Sequence, residues 1–197
     1  MVMDLPADLS LPLERGAPYW YWLGGRPALD FVNTLRERWW RRVETLVTED
    51  DLAEWLVQAE LATDPDTRGL LGRARELREA IDAGVVATLA GEPLPEPARA
   101  VIDRELPVVR ERLVREADGT VVLCAEDAEP LGLIARDAAR MFTPAESPRI
   151  RVCASETCSA RFFDRSPGAV RRWCSSKACG NVDKARRYRR RRREERK

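Results

Sequence analysis

Four of the five cysteines stand in two symmetric pairs. Cys153 and Cys158 enclose four residues, fifteen separate Cys158 from Cys174, and four again separate Cys174 from Cys179. Two short chelating loops at that distance bring four thiolates to the corners of one tetrahedron, which is what Zn²⁺ accepts from an all-sulfur site. Two disulfides would use the same residues but require an oxidising compartment. The opening stretch MVMDLPADLSLPLERG has neither a basic region nor an unbroken apolar run, so no secretory leader is expected. One Zn²⁺ per chain is therefore the leading reading, with iron–sulfur ligation as the remaining alternative. A module this short cannot hold itself together by burial alone, and the metal supplies the missing folding energy.

The charge changes sign where the cysteines begin. The chain carries 34 Lys+Arg and 33 Asp+Glu, but 17 basic and 5 acidic residues fall from Arg149 onward, leaving 17 against 28 before it. A basic end on an acidic body points to a polyanionic partner for the end. The complete absence of histidine removes the usual general base and the catalytic triads and dyads built on it, so an enzyme is not expected. No apolar run approaches the ~18 residues of a membrane span. With reduced cysteines the expected compartment is the bacterial cytoplasm, with nucleoid association when DNA is bound.

The runs RFFDRS, RRWC and CGN followed by KARRYRRR resemble the CGNR zinc-finger family of bacterial proteins, and ALDFVNTL resembles the ABATE domain that precedes that finger. Cysteine spacing, Phe163-Asp164, Arg171-Arg172-Trp173-Cys174 and Cys179-Gly180-Asn181 all coincide; the motif's final Arg is Val182 here. The resemblance implies a stress-induced transcriptional regulator that binds DNA.

The expected fold is mainly α: a helical N-terminal domain over residues 1–145 with one β-hairpin, then a small four-cysteine zinc finger over 149–197 that ends in a basic helix. Residues 1–18 read as an extended lead-in. Leu23-Gly24-Gly25-Arg26-Pro27 reads as a turn, and apolar spacing predicts a helix from Ala28 to about Arg38. Thr48 before three acids predicts a capped helix to about Ala62. Thr63-Asp64-Pro65-Asp66 would cap the next, running to about Leu89 with a bend admitted at Gly84. Ala98–Leu106 and Leu131–Phe142 complete the helices, and two β-branched runs around Asp118-Gly119 predict a hairpin over Arg112–Cys124. Cys124 reads as a buried structural thiol. Thr143–Pro148 is a short stiff linker.

Two site hypotheses follow. In the body, Trp20, Trp22, Asp30, Asn33 and Trp39 would line a small-molecule pocket if they are not simply core and capping groups. The body would then act as a sensor or as an oligomerisation surface, which admits a homodimer. In the finger, Phe162-Phe163 should form a strand whose aromatics cover the metal. Val182, Ala185 and Tyr188 should pack the last helix onto it. Asp164 should be a turn group. Eight of the ten residues from Lys184 to Arg193 are basic. The expected nucleic-acid contacts are Arg171, Arg172, Lys184, Arg186, Arg187, Arg189, Arg190 and Arg191, made to DNA, with RNA as the alternative partner.

Overall fold

Pro27 presets the first helical φ, and the N–H of Ala28, which no intrahelical carbonyl can satisfy, donates to Asp137 Oδ2 at 2.9 Å. These two facts fix the start of α1 (Pro27–Val32) in a computed structural model that describes residues 20, 22–39, 41–106, 110–115, 117–126, 129–155 and 158–194. The expected lead-in over residues 1–18 lies outside the described residues.

α1 ends at Asn33, well short of Arg38. The Thr34 hydroxyl donates to the Phe31 carbonyl at 2.7 Å, and the Thr34 carbonyl accepts from the Thr45 hydroxyl at 2.6 Å. The chain then turns into a short antiparallel pair, β1 (Leu35–Arg36) with β2 (Val43–Glu44). Helical spacing could not reveal this, because Leu35 is buried in the strand as it would have been in a helix.

α2 (Glu49–Gln58) begins with the capping box that Thr48 announces: Thr48 Oγ1 accepts from the Asp51 N–H at 3.1 Å, and Asp51 accepts from the Thr48 N–H at 2.7 Å. The turn over residues 63–66, expected to cap the following helix, does not do so, and the residues after it serve α2. Thr67 donates to the Glu49 carbonyl, Gly69 N–H donates to the Glu49 carboxylate, and α3 (Leu71–Ala90) has Leu70 at its N-cap position, without a side-chain cap. Then follow α4 (Glu96–Glu105), the antiparallel hairpin β3 (Arg110–Arg115) with β4 (Val121–Glu126), and α5 (Pro130–Met141). The hairpin forms as expected, with Asp118 Oδ1 accepting from the Thr120 N–H in its turn. The side chain of Cys124 lies outside the described ones.

The core joins α1, α2, α3, α4 and α5 around Trp55, Phe31, Leu77, Ile81, Ile134 and Met141, all fully buried. Gly84 is a packing requirement: a Cβ there would lie 2.6 Å from the Phe142 ring and 2.7 Å from Leu94. No helix among the described residues is long and apolar enough to cross a membrane.

The linker becomes turns and a 3₁₀ segment, Ser147–Arg149, leading into β5 (Ile150–Val152), which pairs antiparallel with β6 (Arg161–Phe163). A π-helical turn, Ser176–Gly180, passes into α6 (Asn181–Glu194). Successive residues of a strand face opposite ways. Phe162 accordingly joins the cysteine cluster while Phe163, with Ile150, is buried in the helical core. Only one of the two phenylalanines covers the metal site. In return, Leu23 of the body packs against the cysteines, so the two cores share a seam.

Candidate metal centre and its basic helix

Cys153 follows β5, Cys158 precedes β6, Cys174 closes the second loop, and Cys179 sits in the π-helical turn. All four are buried, and their Sγ atoms lie within 4.8 Å of one another. A tetrahedral zinc with Zn–S bonds of about 2.3 Å has S···S edges of about 3.8 Å. The Cys158–Cys174 separation is 3.8 Å, and Cys174–Cys179 is 3.1 Å. The donor set therefore fits a closed all-sulfur zinc site, and the chain binds one Zn²⁺. Contacts with the Cys153 and Cys179 thiols, together with burial, push the Cys174 thiol far up, whereas Cys179, receiving hydrogen bonds from Cys153 and Cys174, falls to about 3. A cation removes this conflict by stabilising every sulfur as thiolate.

The loops are held by a dense polar scaffold. Ala160 N–H donates to Cys158 Sγ at 3.4 Å, Cys153 N–H to the Ala160 carbonyl at 3.0 Å, and Ala154 N–H to the Arg172 carbonyl at 2.7 Å. Asp164 is fully buried and, as expected, organises a turn: it accepts from the N–H groups of Ser166 at 2.9 Å and Arg171 at 2.7 Å. Burial pushes its carboxyl upward, but the hydrogen bonds from Ser166 and the Arg171 backbone outweigh that and hold it below the ordinary carboxylate range.

Arg171 is occupied inside the finger. Its guanidinium donates to the Cys174 carbonyl at 2.8 Å and stands 4.9 Å from the Phe162 ring centre. Arg172 is exposed, its guanidinium 5.2 Å from the Trp173 ring. Lys184, Arg189 and Arg191 are exposed on α6 and Arg186 is half-buried there. Arg187 and Arg190 lie on the same helix, and their side chains, like that of Val182, are outside the described ones. The expected packing of this helix fails for Ala185 and Tyr188, which are exposed, Tyr188 by 60%. The physical reason is that the small apolar surface of the finger is spent elsewhere: Phe162 and Trp173 enclose the sulfurs, and Phe163 faces the body. Tyr188 takes the Arg192 guanidinium at 5.6 Å instead.

The residues expected to line a pocket have structural partners. Trp20 is buried in the core and its indole N–H donates to Thr45 Oγ1 at 3.1 Å. Trp22 is 43% exposed and leans on Trp55 at 5.7 Å. Asp30 accepts from the Gly24 N–H at 2.7 Å, where a Cβ on residue 24 would meet the Asp30 nitrogen at 2.6 Å. Burial lifts the Asp30 carboxyl to about 7 against the hydrogen bonds from Gly24 and Leu23. Asn33 is a docking group: its Nδ2 donates to the Arg161 carbonyl at 2.9 Å and its Oδ1 accepts from the Arg161 N–H at 2.8 Å. The side amide thus extends the edge of β6 as a strand would.

Arg161, which spacing did not single out, is the other half of the seam. It is buried, donates to Asp82 at 2.8 Å, and its guanidinium stands 5.0 Å from the Trp39 ring. Arg26 similarly stands 5.0 Å from the Phe163 ring and pairs with Asp137 at 2.6 Å. A buried strand position occupied by arginine is a sequence signal for a paired partner, but it does not say where the partner lies.

Helices closed around one apolar core, joined edge to edge with a four-thiolate finger, define a zinc-finger protein whose finger is docked on a helical domain. Residues 25–144 match the ABATE family model, described as "Putative stress-induced transcription regulator", and residues 149–192 match the CGNR zinc finger. The chain belongs to the ABATE family and carries a CGNR zinc finger. A search among curated proteins finds no match.

Proposed function

We propose that this protein is a zinc-dependent DNA-binding transcriptional regulator in which α6 reads or grips duplex DNA and the helical body acts as sensor or oligomerisation domain. One observation carries the reading. α6 is a 14-residue helix continuous with the turn that holds Cys179, none of its described side chains is buried, and it bears eight of the seventeen basic residues from Arg149 onward. Arginines on a metal-anchored helix about 21 Å long present a fixed array, whereas a solvated tail does not. A helix of this diameter fits the major groove, where arginine binds phosphates and guanine edges. The family descriptions, a transcription regulator and a zinc finger, agree with this reading and name no enzyme.

Because Arg171 is engaged within the finger, the contacts fall to Arg172, Lys184, Arg186, Arg189 and Arg191, with Arg187 and Arg190 on the same helix. The test is a salt titration of full-length zinc-loaded protein on duplex DNA and on structured RNA. With about five or six phosphate contacts, log K falls with log salt at a slope of roughly −5 on duplex DNA. Ending the chain after Tyr188 flattens it by about one unit for each arginine–phosphate pair removed. Tighter binding to RNA, or a slope that truncation leaves alone, overturns the proposal.

A further inference from the structure

We infer that the tight turn between β1 and β2, carrying Trp39, Arg41 and Arg42, is a second contact to duplex DNA, placed beside the finger by the body; this rests on the DNA-binding reading of α6. The stretch Arg36–Arg42 holds four arginines and one glutamate, within a body whose overall balance is strongly acidic. Arg36 and Arg38 are buried, so the surface share of this reversal is Arg41, paired with Glu37, and Arg42, and its sign suits a polyanion.

The turn is closed at its base by backbone and side-chain contacts. Glu37 and Arg42 both adopt left-handed backbone, with φ of 49° and 52°, and the Arg42 N–H closes the turn on the Glu37 carbonyl at 3.0 Å. Neither residue takes that conformation without cost, so the surroundings must impose it. They do: the Glu37 side chain is fully buried and paired with Arg41, while Arg38 donates to Glu79 at 2.7 Å and to the Val32 carbonyl at 3.0 Å. Above this base, Trp39 is 51% exposed and Arg41 and Arg42 are exposed. The described hydrogen bond of the Arg42 guanidinium is a single one, to the Arg38 carbonyl at 3.3 Å, which leaves donors for phosphate oxygens.

The place of the turn matters as much as its charge. One face of Trp39 rests on the Arg161 guanidinium, and Arg161 lies three residues after the zinc ligand Cys158, a reach of at most about 11 Å. The turn therefore borders the metal module from which α6 projects. A duplex gripped by α6 would have its flanking backbone opposite Arg42, with the outer edge of Trp39 against sugar. Together the two elements would act as helix and wing.

The variants Trp39→Ala and Arg42→Gln alter exposed side chains, and Arg42→Glu strengthens the test by reversing charge. Each is compared with the intact, zinc-loaded chain for zinc content, melting temperature and duplex binding across salt. The expected result is unchanged zinc content for all three and an unchanged melting temperature for the Arg42 variants, with a modest drop for Trp39→Ala because Trp39 rests on Arg161; Arg42→Gln reduces the magnitude of the salt slope by about one unit. It should weaken selected and random duplexes by the same factor, because the contact is to backbone. Arg42→Glu should weaken binding more than Arg42→Gln, and Trp39→Ala should weaken it without changing the slope. Wild-type binding with the full slope, unaltered by all three variants, overturns this inference and leaves the α6 reading standing. Failure of the wild-type chain to bind duplex DNA overturns both.

Discussion

The helical body and the finger solve the same problem, burying enough to stay folded, by opposite means. The body builds its centre from apolar side chains, with Trp55, Phe31 and Leu77 fully enclosed, and sets its buried charges, Glu37, Arg78 and Glu105, in ion pairs around it. The finger encloses four cysteines and Phe162, and holds its loops with the buried Asp164 carboxylate, the half-buried Arg171 guanidinium and backbone groups. An apolar core tolerates any partner of the right shape, whereas the finger requires a cation and a particular set of hydrogen bonds. Where they meet, both chemistries appear: Ile150 and Phe163 at the apolar centre, Asn33, Arg161 and Asp82 around it. The seam makes the stability of each part depend on the other.

Removing the metal is the most severe test of that dependence. Chelation, or Cys179→Ser, should unfold the finger and withdraw Ile150 and Phe163 from the body core, each burial being about 1.5–3 kcal/mol. The body should keep its helical circular dichroism but melt lower, by roughly 10 °C. A body whose melting temperature ignores zinc would show that the seam carries no energy.

Next in size is the seam itself. Arg161→Ala takes from the half-buried Asp82 one of its two arginine partners, Arg38 remaining at 3.2 Å, and empties a buried strand position, a loss of about 1–3 kcal/mol. Asn33→Ala strands the N–H and carbonyl of Arg161, about 1–3 kcal/mol for each buried group. Both should lower the urea midpoint and speed zinc transfer to a chelator. If Asn33→Ala leaves zinc release unchanged, the side-amide bridge is incidental to the finger.

A pH effect follows from Asp30. Its carboxyl is raised by burial from the ordinary 3.8 to about 7, so the folded chain binds the proton more tightly than the unfolded one. The stability it contributes is fully present below about pH 4 and declines as pH rises through about 7. Asp30→Asn should flatten that part of the stability profile, and an unchanged profile would assign the pH dependence to other groups.

The smallest effect serves as the control. Thr48→Ala removes the α2 capping box, away from the seam, and should cost about 1 kcal/mol with no change in zinc release. Faster zinc release in this variant would mean that any loss of body stability loosens the finger, whatever its place.

What can be read from the chain alone is local. The α2 cap is spelled within four residues, the β3–β4 hairpin by Asp118-Gly119 between β-branched runs, and the metal site by four cysteines at chelating spacing. The end of α1 is not legible, because Thr34 and Arg38 choose partners that become neighbours only after folding. The internal partners of Arg171 are hidden from spacing for the same reason. Its exposed-type side chain is claimed by the Cys174 carbonyl three residues on and by the Phe162 ring.

The zinc chemistry is written in the residue order, since four soft ligands on two short loops and no histidine leave little else for them to hold. So is the helical class of the body, through apolar period and capping residues, and so is the basic character of α6. Folding in three dimensions settles the rest: the finger is docked rather than tethered, Asn33 is a bridge to β6, Phe162 and Phe163 serve different cores, and Trp39 and Arg42 stand beside the metal module. The physical reason is range. Coordination and capping are fixed by residues a few positions apart, whereas the Asn33–Arg161 pairing spans 128 positions and exists only once both surfaces are built.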